Sequence, residues 1–214
     1  MRGGWRRCAA GARVTVAPMN AEHTEHSKHA ENADVDDTEN DVDTGRTAWT
    51  TRPETADDIP AVRAINLAAF PTALEADLVE ALRADREAWI DGLSLLAVAP
   101  DGRAAGHALL TRCRVGTEPA LALAPCAVLP EYQGQGAGTA AVRAALDAAR
   151  ALGENTVVVL GHPGYYPRFG FAPASGFGIR APFDVPDEAM MALTLDPGRP
   201  AATGTIQYPA AFGV

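Results

Sequence analysis

Cysteine is scarce in this sequence: Cys8, Cys113 and Cys126 are odd in number, widely spaced and without a C-x-x-C pair. That pattern offers neither a disulfide framework nor a zinc site, and it suits a reducing compartment. Positive charge is also short. The 18 Lys and Arg against 27 Asp and Glu leave a formal charge of -9, which argues against nucleic acid as a partner and favours cationic ones such as amines. No run of about 18 apolar residues occurs, so no membrane span is expected. Met1 to Val16 carries Arg2, Arg6 and Arg7 ahead of a mildly apolar stretch. Arg13 interrupts a region already too short and too poor in large apolar residues to be a secretory signal. A cytoplasmic protein is the expectation.

What is present divides at about residue 48. Asn20 to Asp43 is dominated by Glu, Asp, Asn, Thr and His, with Val35 and Val42 its only sizeable apolar side chains. Such a segment cannot bury enough to offset the entropy of ordering, so residues 1–47 are expected to be a disordered acidic tail and residues 48–214 one domain. His23, His26 and His29 interleave in that tail, but an isolated triplet in an acidic segment reads as solvated, and no metal site is expected.

Within the domain, Ala48 to Arg52 reads as a strand. Thr55 offers a helix cap with Asp58 three residues on and Pro60 in the first turn. Ile59, Val62, Ile65 and Phe70 give that helix a buried side, and Leu74, Leu78 and Leu82 mark a second helix. Leu93 to Ala99 and Ala104 to Val115 read as strands joined at Asp101-Gly102, and a fourth runs from about Ala120 to Val128. Thr156 to Leu160 is a fifth, buried strand. A short helical segment around Gly164 to Phe169 and a loop-rich stretch up to Pro186 follow, with late strands at Ala189 to Leu195 and Thr205 to Tyr208. The helix from Thr139 to Leu152 joins the fourth and fifth strands as a parallel βαβ unit, so the fold class is α/β with a mixed sheet.

The chain is organised around Leu129-Pro130-Glu131-Tyr132-Gln133-Gly134-Gln135-Gly136-Ala137-Gly138, a strand-to-helix turn. Without Cβ atoms in the way, successive backbone N–H groups can aim at one point, beside the positive end of the helix dipole. That is an anion site, most naturally for phosphate. A P-loop would need a Lys after the last glycine, and none follows Gly138. A dinucleotide fold would need G-x-G-x-x-G, but Thr139 stands where the third glycine belongs, and the next strand ends in Gly161-His162 instead of an acidic ribose ligand.

The remaining pattern, Q-x-x-G-x-G at Gln133, Gly136 and Gly138 behind Val128-Leu129-Pro130-Glu131-Tyr132, resembles the acetyl-CoA signature of the GNAT acetyltransferases. Tyr165-Tyr166-Pro167-Arg168-Phe169-Gly170-Phe171 looks like that family's segment after the fifth strand, and the order of elements from Trp49 to about Leu195 is similar. Leu160 to Tyr166 and the ending Tyr208 to Phe212 look like a branch of predicted N-acetyltransferases. The resemblance implies a GNAT-like fold: a mixed, mostly antiparallel sheet with a central parallel βαβ unit flanked by helices. It implies acetyl-CoA as acetyl donor, its pyrophosphate held by backbone N–H groups of Gln135, Gly136, Ala137, Gly138 and Thr139, with Gln133 in the same site. It further implies that the fourth and fifth strands splay so that pantetheine pairs with backbone around Ala127 and Val128. Pro125 makes an irregularity in that strand plausible. A bulky residue at Gly136 or Gly138 is expected to crowd the pyrophosphate and weaken CoA binding.

Acetyl transfer to an amine needs a deprotonated nitrogen, a stabilised oxyanion and a proton for the departing thiolate. Direct attack in a ternary complex meets all three. Tyr166 aligns with the family's proton donor, and Tyr165 stands beside it as the alternative. The fourth strand carries no carboxylate between Ala120 and Val128, so Glu118, His107 and His162 are left as base candidates, each more readily structural or solvated. Arg143 and Arg168 could meet CoA phosphates, and Cys126 reads as a small core residue. The expected function is N-acetylation of a primary amine on a small molecule or peptide, with homodimerisation left open. The alternative is a catalytically silent CoA sensor or interaction module, which thiol release from acetyl-CoA would separate from an enzyme.

Overall fold

The computed structural model describes residues 48–214. The expected tail, with His23, His26, His29 and Cys8, lies outside the described residues. β1 (Thr50–Pro53) opens the domain. Thr55 then forms the expected capping box, its N–H and Oγ each donating to Asp58 Oδ2 at 2.8 Å. Arg52 forks onto the same carboxylate at 2.6 and 2.7 Å and holds it well below the usual carboxylate range. This box opens a 3-10 turn, and α1 (Ile59–Ala69) continues it with Val62, Ile65 and Asn66 buried. In α2 (Leu74–Ala84) the buried residues are Glu75, Ala76, Val79 and Leu82, while Leu74 is 39% exposed. The expected stripe of Leu74, Leu78 and Leu82 is therefore rotated. Spacing by four alone drifts around a helix of 3.6 residues per turn, and the i, i+3 steps Ala76–Val79–Leu82 follow the packed face.

β2 (Ser94–Val98), β3 (Ala104–Val115) and β4 (Glu118–Val128) follow as an antiparallel meander. The Asp101-Gly102 tip closes it, with Gly102 at φ 84°. α3 (Ala137–Ala151) leads to β5 (Thr156–Leu160), which pairs with β4 in parallel. Two strands of two residues each, β6 (Ala172–Pro173) and β7 (Ile179–Arg180), lie in the stretch expected to be loop. They are too short for an alternating pattern to show. β8 (Met190–Thr194) and β9 (Gly204–Gln207) complete the sheet. Its order is β1-β2-β3-β4-β5-β8-β6, with β9 on β3 and on β7. The expected mixed, mostly antiparallel α/β architecture is the one observed.

The helices cover both faces. Val142, Leu146 and Ala149 of α3 pack with Leu95, Leu110, Leu121 and Leu123 on one face. Val62 and Ile65 of α1 with Val79 and Leu82 of α2 pack with Leu96, Leu109 and Ala127 on the other. Each such Leu, Ile or Val contributes roughly 1.5–3 kcal/mol by leaving water. Leu152, at the end of the expected helix, is the C-cap of α3 and 54% exposed.

Candidate functional site

The glycine turn is held open by its backbone. Gly134 and Gly136 have φ of 75° and 92°, and Gly136 caps α3, its carbonyl accepting the Ala140 N–H at 2.9 Å. Among the described residues, the N–H groups of Gln135, Gly136, Ala137, Gly138 and Thr139 donate to no backbone carbonyl. Five successive donors at the positive end of a 15-residue helix fit an anion such as a pyrophosphate. A Cβ on Gly136 would make only ordinary contact with Trp49, 3.6 Å from its Nε1. Within the protein itself, glycine is thus demanded there by the positive φ and not by crowding from a neighbouring side chain. The side chains brace the turn from behind: Gln133 Nε2 donates to Val128 O at 3.2 Å, and Gln135 Nε2 to Glu131 O at 2.7 Å.

Upstream of the turn the sheet parts. β4 and β5 pair only at Leu121–Val157 and Ala122–Val158, although β4 runs on to Val128 and β5 to Leu160. Opposite this gap the β3–β4 register shifts between Ala108 and Leu110, around Pro125, the irregularity expected there. Leu129 N–H donates to Ala105 O at 2.9 Å. By strand alternation Ala127 therefore faces its partner His107 in β3 with both backbone groups, and Val128 and Cys126 turn theirs toward the gap. Val128 packs its side chain in the same cluster as Tyr165 and Tyr166, so it is both core residue and gap edge.

Tyr165 and Tyr166 are both buried, meeting edge to face at 5.1 Å, with Phe169 and Phe171 around them and Cys126 against the same cluster. The Tyr166 ring covers the end of β5 so closely that a Cβ on Gly161 would come within 2.0 Å of it. Only glycine leaves room for that ring. Burial, with Cys126 and Tyr165 nearby, raises the Tyr166 hydroxyl well above its ordinary value, so it stays protonated at neutral pH. The Tyr165 hydroxyl is buried and raised by that burial, with Thr139 the hydroxyl nearest to pairing with it, while Arg168 stacks on its ring at 4.6 Å. Arg143 is exposed on α3. Cys126 is pushed up to about 12 by burial, which makes it a poor nucleophile.

The three base candidates fall apart in space. Glu118 is exposed at the β3–β4 hairpin, paired with Val115. His162 is exposed beyond β5, its Nδ1 accepting the Gly164 N–H at 3.2 Å. His107 is fully buried, held at Nδ1 by Asn66 Nδ2 (3.1 Å) and at Nε2 by Ser94 Oγ (2.9 Å). With Nδ1 accepting, Nε2–H donates to Ser94, which donates in turn to Glu54; Arg83 forks onto Glu54 at 3.0 and 3.2 Å. Burial first, and then the Arg83 charge, lower His107 to about 3. Glu54 lies 3.9 Å from Nε2, yet its charge is matched by Arg83 and the imidazole stays neutral. Sequence reasoning missed this knot because Glu54, Asn66, Ser94 and His107 sit on four different elements or loops.

At the base of the gap lies a small cavity of about 20 Å³ between Ala122–Ala124 and Val158–Leu160, closed by Tyr208, Phe212 and Val214. Phe183, Tyr208 and Phe212 form an aromatic stack beside it, at 6.3 and 5.0 Å. Among the described residues no group of three or more His, Cys, Asp or Glu could hold a metal ion, and no helix is long and apolar enough to cross a membrane.

The family model described as Acetyltransferase (GNAT) family matches residues 59–171. The chain is 43% identical to the uncharacterized N-acetyltransferase YjhQ of Escherichia coli K12, over 65% of this chain and 82% of that protein. It is 31% identical to the uncharacterized N-acetyltransferase YhbS of the same strain, over 73% and 94%. The crystal structure of E. coli YhbS in complex with CoA matches with a TM-score of 0.70 at 27% identity, covering 87% of this chain and 97% of that one. A GNAT family acetyltransferase from Brucella melitensis in complex with acetyl-CoA matches at 0.62 and 29% identity, covering 78% and 99%.

Proposed function

The chain belongs to the GNAT acetyltransferase family, and from that premise we propose that it is an acetyl-CoA-dependent N-acetyltransferase that acetylates a primary amine by direct attack in a ternary complex. What carries this reading is the alignment, along one strand end, of five unpaired N–H groups, an open backbone edge and a buried, protonated tyrosine. When bound, acetyl-CoA supplies the acetyl group as a thioester. The N–H groups of Gln135 to Thr139 hold its pyrophosphate, with Gln133 bracing the turn. Val128 and Cys126 offer backbone to the pantetheine, while Ala127 gives its backbone to the β3 ladder and its side chain to the core under α1 and α2.

The amine nitrogen forms its bond to the acetyl carbon as the carbon–sulfur bond breaks, and the Tyr166 hydroxyl donates its proton to the departing sulfur. The buried, neutral His107 takes no part. The amine loses one proton to solvent before it attacks and a second as the amide forms, solvent returns a proton to the Tyr166 oxygen, and no side chain is assigned as base. The acceptor is a small-molecule or peptide amine, and the acidic composition favours its cationic form on approach. A cytoplasmic setting is part of this proposal, supported by cysteines that are few and without a C-x-x-C pair.

The test is free-thiol release from acetyl-CoA across an amine panel, with the full chain and two variants. Tyr166→Phe is expected to cut turnover by roughly a hundredfold or more while CoA affinity holds. Tyr165→Phe is the control: if it slows turnover and Tyr166→Phe does not, the assignment is wrong. An absence of thiol release with every amine would point to a CoA-binding module.

A further inference from the structure

The Trp49 indole N–H donates to the Gln135 carbonyl at 2.7 Å across 86 positions of sequence. In a trans peptide the carbonyl of one residue and the N–H of the next point in opposite directions. Fixing the Gln135 oxygen toward Trp49 therefore fixes the Gly136 N–H away from it, at the head of α3 where neighbouring N–H groups also lack a backbone acceptor. Gly136 sits at φ 92°, in a region where glycine can also let its neighbouring peptide turn over, so the orientation is not secured by the turn alone. The indole is itself well anchored. Its ring meets Tyr132 edge to face at 5.7 Å, Tyr132 lies under Arg103 at 5.7 Å, and Arg103 pairs with Glu131 at 2.9 Å. The next residue, Thr50, is already in register with Val98 of β2. The edge of the sheet thus reaches around to grip the turn from outside.

We propose that Trp49 is a positioning residue for the anion-binding turn, holding the Gln135–Gly136 peptide with its N–H directed at the pyrophosphate. This rests on the reading that the glycine turn holds CoA. Trp49→Phe removes the donor and retains an aromatic ring against Tyr132. Calorimetric titration of the full-length variant with CoA is expected to show affinity about fivefold weaker than wild type, the size of one lost hydrogen bond. Its melting temperature should stay close to wild type, because the Gln135 carbonyl lies where water can replace the indole. The kcat/KM for acetyl-CoA should fall by the same factor, and that for S-acetylpantetheine, which lacks the pyrophosphate, should not change. In the nitrogen-15 spectrum of wild type, the Trp49 indole resonance should shift on saturation with CoA. Unchanged CoA affinity in Trp49→Phe, an indole resonance blind to CoA, equal losses on both thioesters, or a collapse of melting temperature would each overturn the proposal, the last two by assigning Trp49 to the fold alone. If wild type itself fails to bind CoA, the functional reading falls and takes this inference with it, a result distinct from any of the others.

Discussion

The glycine turn at the end of β4 and the polar knot around His107 are neighbours in the sheet, since His107 lies opposite Ala127, yet they are built on opposite rules. The knot gathers Glu, Ser, His and Asn, side chains with rich chemistry, and then pairs nearly all their polar atoms and seals them off from water. The turn has hardly a reactive side chain, but the N–H groups of Gln135 to Thr139 find no backbone acceptor, and those of Gln135 and Gly136 belong to exposed residues. Residue type alone would favour the knot as the site. Satisfied hydrogen bonds make a polar group structural, and unsatisfied, accessible ones make it available to a ligand.

Breaking the knot should therefore destabilise the fold and leave the site alone. Glu54→Ala strands Arg83 and Ser94 without their acceptor, and the expected loss is about 3 kcal/mol, the low end for removing one partner of a buried ion pair. Thermal melting would read this, and CoA affinity measured well below the transition should match wild type. A stable Glu54→Ala variant with weakened CoA binding would erase the distinction between the two regions.

The turn, α3 and the Asp101-Gly102 hairpin were legible in the sequence because each is local: glycines, a helical period and a turn pair lie within a few residues of one another. The face of α2 was misread at Leu74, since propensity and spacing do not say which side a neighbouring element will cover. Trp49 could be read as the start of order but not as a support of the turn, and Gly161 could not be read as the seat of the Tyr166 ring. Both roles exist only after distant segments meet. The open strand edge was legible as a family expectation, whereas the choice among Cys126, Ala127 and Val128 depends on which way each peptide faces, which only the register of β3 fixes.

Smaller effects sharpen the same contrast. His107 is held at about 3, below its ordinary 6.5, so below pH 6.5 the unfolded chain takes up a proton that the folded one refuses. Its contribution is complete above pH 6.5 and is lost as pH falls toward 3, with a limiting slope of about 1.4 kcal/mol per pH unit. Denaturant titrations from pH 7 to 5 should show this decline, and His107→Gln, which can still bond Asn66 and Ser94, should flatten it. A slope unaffected by that change would place the titrating group elsewhere. The smallest effect is expected at His162, exposed and assigned no proton transfer: His162→Gln should leave turnover within about threefold, whereas loss of a true general base costs at least about a hundredfold.

The most direct test of the central claim, that backbone donors of the glycine turn hold CoA, is a calorimetric titration of CoA into wild-type protein and Gly136→Val. A valine is strained at a φ of 92°, so the turn must rearrange and its N–H groups lose their common aim, while the buried core is untouched. Saturable binding by wild type, and affinity at least about tenfold weaker in a variant that still melts cooperatively, is the result the account predicts. Equal affinity in the two proteins would contradict it.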